Sequence, residues 1–367
     1  MDLHEPVTPF AVLDADKVAT NVARLRGRLA GTGVPLRLHV KTAKSVEVAL
    51  MAFDGTPGPI AVSTLAEAEA FAAAGFTDIV YAVGIAPDKL TRVADLRERG
   101  VDLVVLLDSV AQASAAAKAA VPALIEIDSD GHRAGLAPDD PAVLEIAGIL
   151  PEVRGVLTHA GRSYYAYTPE EKHRVAADEV AHAVRVAERL RAAGYAAPVV
   201  SIGSTPSGHT PVELTGVTEA RIGNFVFLDL VMAGLGVCAV EDLALSVVAT
   251  VIGHQRDKGW ILTDGGWMAT SQDRSTAQQK IDQGYGLVTD LDGVPYPDLL
   301  MSAASQEHGV LSVRPGSAAE LPDLPVGARV RILPNHACAT AAQHDRYHVI
   351  GTGSRTVRAV WPRVRGW

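Results

Sequence analysis

Two lysines, Lys41 and Lys44, stand three residues apart in the stretch RLHVKTAK (37–44), inside a run that otherwise reads as a buried strand. With a side-chain period of two, Leu36, Leu38 and Val40 share one face, and Arg37, His39 and Lys41 share the other. In a barrel the second face points inward. A partly desolvated lysine at the inner mouth has a lowered pKa and can form a Schiff base with a carbonyl cofactor, with His39 and Arg37 deeper as support. The competing account is an edge strand, or barrel ends, where these basic groups are solvated.

Further along, Gly203-Ser204-Thr205 and Gly223-Asn224 offer small residues and backbone N–H groups that can cradle a phosphate. Each is weak alone, because such residues also make ordinary loops. A Schiff-base lysine together with a phosphate cup points to pyridoxal phosphate. Arg133, among the acids of EIDSDGHR (126–133), either forms an ion pair or stands as a permanent cation beside the cofactor's phenolate oxygen or a substrate carboxylate. His159 is either a hydrogen-bonded core histidine or a group lying against the cofactor ring. Tyr164 and Tyr165, beside Gly161 and Arg162, read as loop residues facing a pocket.

The second chemical signal is LPNHACAT (333–340). His336 and Cys338, at i and i+2 on an extended segment, project to one side and suit a soft or borderline ion. Two protein ligands leave the open positions that a catalytic zinc needs. Chance adjacency is the alternative, and a structural zinc would need His308 or Glu307 as well. Cys238, in an apolar run, reads as buried, and the two cysteines as free thiols or a metal ligand rather than a disulfide.

These residues must be positioned by the elements around them. Strand candidates fall at 36–41, 60–63, 79–83, 103–107, 123–128, 155–159, 199–202 and 220–223, with Ala-rich helical stretches such as 66–74, 109–119 and 170–193 between them. A helix is expected over 16–30 after an Asp14 or Asp16 cap. Eight βα repeats ending near residue 224 are the count of a (β/α)8 TIM barrel, and the candidate residues fall after its strands, where barrel enzymes place their chemistry. An open doubly wound sheet is the runner-up, without a GxGxxG turn to support it. The stretches 243–264, 328–334, 346–352 and 356–361 are β-branched and broken by Gly, Asp and Pro, so an α/β barrel at 12–238 is expected to be followed by a mostly-β domain at 239–367. Residues 1–11 are expected to join that domain, with 10–13 as a strand paired to it.

At 367 residues with 48% hydrophobic content the chain supports a real core, and its net charge of −9 argues against nucleic-acid and anionic-membrane binding. No run has the length of a membrane span and the start lacks a leader pattern, so a cytoplasmic protein is expected.

Taken in order, TPFAVLD (8–14), HVKT (39–42), AEAE (66–69), DSDGHRAGL (128–136), HAGRSY (159–164), SIGST (201–205), RIGNFVF (221–227), DGGWM (264–268), QEHG (306–309) and LPNHAC (333–338) resemble the D-serine dehydratase and D-threonine aldolase family, which shares the fold type of alanine racemase. The resemblance runs nearly end to end. It implies pyridoxal phosphate on Lys41 rather than Lys44, a divalent metal on His336 and Cys338, and a head-to-tail homodimer. Relatives with aldolase activity often carry Asp where this chain has Cys338, which leans toward the zinc-dependent dehydratase branch, with Mn2+ or Mg2+ as alternative ions. The chain departs from the family's pattern at Leu38 and Ala43, in place of Pro and a second His, and at Ser63, where many relatives have Gln.

The expected reaction is β-elimination of water from a 3-hydroxy D-amino acid, first of all D-serine to pyruvate and ammonia. Retro-aldol cleavage of D-threonine to glycine and acetaldehyde is the alternative. A non-catalytic cofactor-binding protein is a remoter one, disfavoured by the C-terminal β domain.

Overall fold

The computed structural model describes Met1–Trp367, which divide into two compact units: Val22–Phe225 with Val364–Trp367, and Met1–Asn21 with Val226–Arg363. Segments 12–21 and 226–238, expected with the barrel, thus group with the β unit. No helix is long and apolar enough to cross a membrane.

The chain's first strand, β1 (Phe10–Asp14), belongs to the β unit. The next eight, β2 (Leu36–His39), β3 (Ile60–Val62), β4 (Asp78–Gly84), β5 (Asp102–Leu107), β6 (Ala123–Ile127), β7 (Val153–Thr158), β8 (Val199–Ile202) and β9 (Glu219–Ile222), close into a parallel barrel in sequence order. β9 pairs back to β2 through Arg37↔Arg221 and Leu38↔Ile222. Ser and Thr caps start the intervening helices, as at Thr64, Ser109 and Thr168, whose side chains accept from the N–H groups of Glu67, Gln112 and Glu171. Gly155 is obligatory at the β7–β8 contact, because a Cβ there would lie 1.9 Å from the Val199 carbonyl oxygen.

The barrel interior is layered. At the end where strands begin, Arg37 Nε donates to Glu219 Oε2 at 2.8 Å and Nη1 to Asp78 Oδ1 at 2.7 Å. Arg37 therefore locks the base of the barrel and does not support the mouth, as the alternating pattern had suggested. Ala61, Val80, Val104, Leu106, Leu124 and Leu157 fill the middle. Toward the strand ends the inward residues turn polar, with His39, Glu126 and Arg221 all buried. β2 ends at His39, two residues short of the expected strand, so Lys41 stands in the turn that follows. Lys44 has a left-handed φ of 46° and pairs with the buried Glu67 at 2.9 Å.

In the β unit, β1 lies antiparallel to β10 (Leu245–Gln255) and parallel to β16 (Arg346–Ile350), with Phe10↔Val248 and Val12↔His348 in register. Going round from β10, the pairing runs through β11 (Trp260–Thr263), β14 (Gly309–Val313), β13 (Pro295–Ala304), β12 (Leu287–Thr289) and β15 (Arg329–Leu333) and back to β10; β17 (Ala359–Pro362) extends the other edge. Val251, Ile261, Leu299, Met301, Leu311 and Ile332 are among its fully buried core. Asp14, closing β1, is the cap of the helix Ala15–Ala30: its Oδ1 accepts from the N–H groups of Asp16 and Lys17, each at 3.1 Å. Both cysteines are free thiols.

Candidate active site

Strand ends of the barrel gather a cluster of nitrogen-bearing side chains. His39 is fully buried, and that burial, reinforced by Lys41, Arg221 and His159, drives its pKa well below the ordinary value while its ring hydrogen-bonds the Ala61 backbone. His159, just past β7, meets the Gly203 carbonyl through Nδ1 at 3.1 Å. Burial, then the charges of Arg221, Lys41 and Arg133, pull His159 down to about 3. Its ring is therefore neutral, with the proton on Nδ1 and Nε2 left as an acceptor. Tyr164 lies 6.2 Å from it, ring centroid to centroid, tilted by 47°, whereas Tyr165 is exposed.

Arg221 is enclosed on all sides. Its Nη2 donates to the Thr158 carbonyl at 2.6 Å, its Nε has no partner, and burial lowers its pKa against the pull of Glu179, Glu219 and Glu126. Glu126 is raised by burial. Arg133, 54% exposed, stands 3.7 Å from Glu126. This is a loose ion pair on a half-free side chain, so the salt-bridge account of Arg133 is visible and leaves its guanidinium able to meet a second anion.

After β8, Gly203 has φ of 145°, and a Cβ on it would lie 2.3 Å from the Arg221 carbonyl oxygen. The Ser204 hydroxyl is committed, 2.8 Å from Ser163 Oγ and 2.9 Å from Ser207 Oγ, and it accepts from the Ser207 N–H at 3.1 Å. The hydroxyl of Thr205 is different: it is buried without a hydrogen-bond partner. Gly223 packs where a Cβ would sit 2.7 Å from the His39 carbonyl oxygen, and Asn224 beside it is buried. Pyridoxal phosphate fits this set. An amine stands beside two neutral imidazoles, and the orphaned Thr205 hydroxyl and Arg221 Nε are donors waiting for oxygen or nitrogen acceptors.

The neutral state of His159 has a measurable consequence. Folded, it titrates near 3; unfolded, near 6.5. Between those values the unfolded chain binds the extra proton, so this contribution to stability is full above the upper value and is lost as pH falls, at about 1.4 kcal/mol per pH unit. Urea unfolding is expected to show a shallower decline in stability between about pH 6.5 and about pH 4.5 for His159→Gln than for the unaltered protein. Equal slopes would contradict the neutral ring.

In the β unit, His336 and Cys338 do meet, but not on an extended segment. His336 (φ −132°, ψ 109°) precedes a short helix, Ala337–Ala341, whose second residue is Cys338. His336 Nδ1 lies 3.1 Å from Asp273 Oδ2, an arrangement that orients an imidazole to offer Nε2 to a metal. Burial would lower the His336 pKa, yet Cys338, Asp273 and Asp229 together raise it to about 11. Asp273, despite burial, is held at about 2 by His336 and Ser275. The His336 imidazole and the Cys338 thiol are donor types suited to zinc. No third His, Cys, Asp or Glu completes a metal-binding cluster, so His308 and Glu307 do not join. The loop is fixed by Asn335, whose Nδ2 donates to the carbonyls of Asp273 (2.9 Å) and Gly284 (2.7 Å) while Oδ1 accepts from Thr276 Oγ1 (3.0 Å).

Arg221, Glu126, Glu179, Asp273 and Asp229 escaped the sequence reading as individual site residues. Arg221 and Glu126 carry a detectable signal, a charge at an inward position of a barrel strand. Glu179 carries another, a carboxylate within the apolar stripe Ala176, Val180, Ala183, Val186 and Ala187.

Residues 13–230 match the family model described as alanine racemase, N-terminal domain, and residues 244–350 the one described as putative serine dehydratase domain. The barrel is thus that of the alanine racemase-like enzymes, for which pyridoxal phosphate is the implied cofactor. More narrowly, the chain belongs to the D-serine dehydratase and D-threonine aldolase family and is an enzyme of its lyase type. It is 50% identical to D-threo-3-hydroxyaspartate dehydratase of Delftia sp. (strain HT23), covering 98% of each chain. The solved structure of that enzyme superposes with a TM-score of 0.95 over 100% of both. Two variants of a D-threo-3-hydroxyaspartate dehydratase have also been solved, one with a cysteine replaced and in metal-free form, the other with a histidine replaced two positions earlier. D-serine dehydratase of Dictyostelium discoideum is 29% identical, over 98% of each chain. D-threonine aldolase of an Arthrobacter species is 30% identical, over 96% of this chain and 91% of its own.

Proposed function

We propose that this protein is a pyridoxal phosphate- and zinc-dependent dehydratase of 3-hydroxy D-amino acids, with D-threo-3-hydroxyaspartate ahead of D-serine as substrate. The observation that carries the reading is Lys41 at the barrel mouth among Arg221 and two imidazoles held neutral. Full-length identity of 50% to a dehydratase of that substrate supports the order of preference. So does Arg133, whose loose pairing with Glu126 leaves a cation for the side-chain carboxylate.

Bound in the site, pyridoxal phosphate supplies the electron sink that acidifies the substrate's Cα–H bond. Lys41, Arg133, His159, Tyr164, Ser204, Thr205, Gly223 and Asn224 are the residues assigned to hold it, with Thr205 giving its open hydroxyl and Ser204 acting through the turn it caps. Lys41 is the base that takes the Cα proton. His159 and His39, both neutral, do not compete for it and do not repel a substrate ammonium. The buried Arg221 keeps a fixed positive charge close to both imidazoles. A cation on His336 and Cys338 would supply Lewis acidity to the β-hydroxyl, making hydroxide a better leaving group. Thiolate and imidazole favour zinc over Mn2+ or Mg2+. Loss of water from D-threo-3-hydroxyaspartate leaves an enamine that hydrolyses to oxaloacetate and ammonia; D-serine gives pyruvate and ammonia. The resemblance extends the proposal to a homodimeric assembly.

Incubation with D-threo-3-hydroxyaspartate, D-serine and D-threonine, with product identification, tests the reading. Oxaloacetate or pyruvate with equimolar ammonia is expected. Glycine with an aldehyde would move the protein to the aldolase alternative, which the Arthrobacter relative keeps in view.

A further inference from the structure

Glu179 lies midway along the helix Pro169–Ala192, 1% exposed on its buried face. A carboxylate there is costly unless fixed donors replace water. Those donors are the backbone N–H groups of Ala160 and Gly203, 3.2 and 2.9 Å from the same Oε1, while Oε2 is buried without a partner. Ala160 follows His159 at the end of β7, and Gly203 opens the turn after β8 that carries Ser204 and Thr205. One carboxylate oxygen therefore ties two loops of the site together.

The tie continues through hydroxyls. Ser207 Oγ meets Ser204 Oγ at 2.9 Å, Ser204 Oγ meets Ser163 Oγ at 2.8 Å, and Ser163 Oγ donates to the Ala160 carbonyl at 2.7 Å. Gly203 is held from both sides, its N–H by Glu179 and its carbonyl by His159. Behind the carboxylate is a cavity of about 30 Å3, bordered by Leu29, Ala176, Ile202, Ser207 and Ile222. It has room for a water molecule beside the carboxylate.

We infer that Glu179 is a positioning residue for cofactor capture: it fixes the turn after β8 so that the Thr205 hydroxyl stays open to the cofactor's phosphate. The inference rests on the pyridoxal phosphate reading. Its test titrates apoenzyme with pyridoxal phosphate and, separately, with pyridoxal, following absorbance of the link to Lys41. Glu179→Ala is expected to weaken pyridoxal phosphate about 30-fold and pyridoxal less than about threefold, since only the former has a phosphate to misplace. Glu179→Gln, whose amide oxygen still accepts both N–H groups, should stay within about threefold for each. Where Glu179→Ala yields no folded protein, Ser207→Ala carries the test, with about a fivefold loss confined to the phosphate-bearing aldehyde. Equal losses for both aldehydes, or no loss for either, overturn the inference. A wild type that takes up neither aldehyde overturns the pyridoxal phosphate reading itself, and the inference with it.

Discussion

Replacing Lys41 with alanine is expected to lower kcat by about four orders of magnitude or more and to abolish the absorbance of the lysine-bound cofactor. The fold should survive, because Lys41 stands in a half-buried turn beyond the last residue of β2. Lys44 is the informative control. Its ammonium pairs at 2.9 Å with Glu67, whose side chain is fully buried and also accepts from the Ser63 N–H and the Thr64 hydroxyl. Lys44→Ala should therefore keep the absorbance and lose stability, by about 3 kcal/mol, because it strands a buried carboxylate. The two lysines thus separate by assay: one variant is stable and inactive, the other active and unstable. Retained absorbance in Lys41→Ala would move the covalent role to another residue.

The second large effect is expected from the β unit. Removing metal with a chelator, or replacing Cys338 with alanine, should cut kcat/KM at least about a thousandfold, the equivalent of about 4 kcal/mol of transition-state stabilisation. The cofactor's absorbance should be unchanged, since the residues assigned to hold it all belong to the barrel unit. Metal analysis of the purified protein should give one zinc per chain for the wild type and none for Cys338→Ala. Asp273→Asn should weaken zinc about 10- to 100-fold without removing it, as expected for the group that orients a ligand histidine. Full activity in the chelated protein would remove the metal from the account.

How much of this could be read from sequence depends on the range of the contact involved. The eight barrel strands are legible because each is a short apolar run set off by helical periodicity, and their order follows from the repeat. The strand ends are less so: Val40 and Lys41 continue the alternation of β2 after its ladder has stopped, and nothing in the pattern marks the change. β12 to β14 went unread because β12 is three residues long and β13 begins with Pro295-Tyr296-Pro297-Asp298, a turn-like start on a half-exposed strand.

The positions of Lys41, His159 and Thr205 just past strands, and the nearness of His336 to Cys338, were legible from local spacing. Arg37 misled, because alternation tells which way a side chain faces and not which end of the barrel it serves. Asp273 was out of reach, being 63 residues from the histidine it orients. Glu179 was legible only as a misplaced carboxylate in an apolar stripe: its partners are backbone N–H groups, which have no letter in the sequence.

The central claim is that Lys41 breaks the Cα–H bond and that water, not an aldehyde, leaves. The most direct measurement uses D-threo-3-hydroxyaspartate deuterated at Cα. Elimination requires the label to be lost to solvent, a primary isotope effect on kcat/KM when proton removal limits, and one ammonia per oxaloacetate. Deuterium retained on Cα of a glycine product, with glyoxylate released beside it, would show that the carbon–carbon bond breaks instead and would contradict the account.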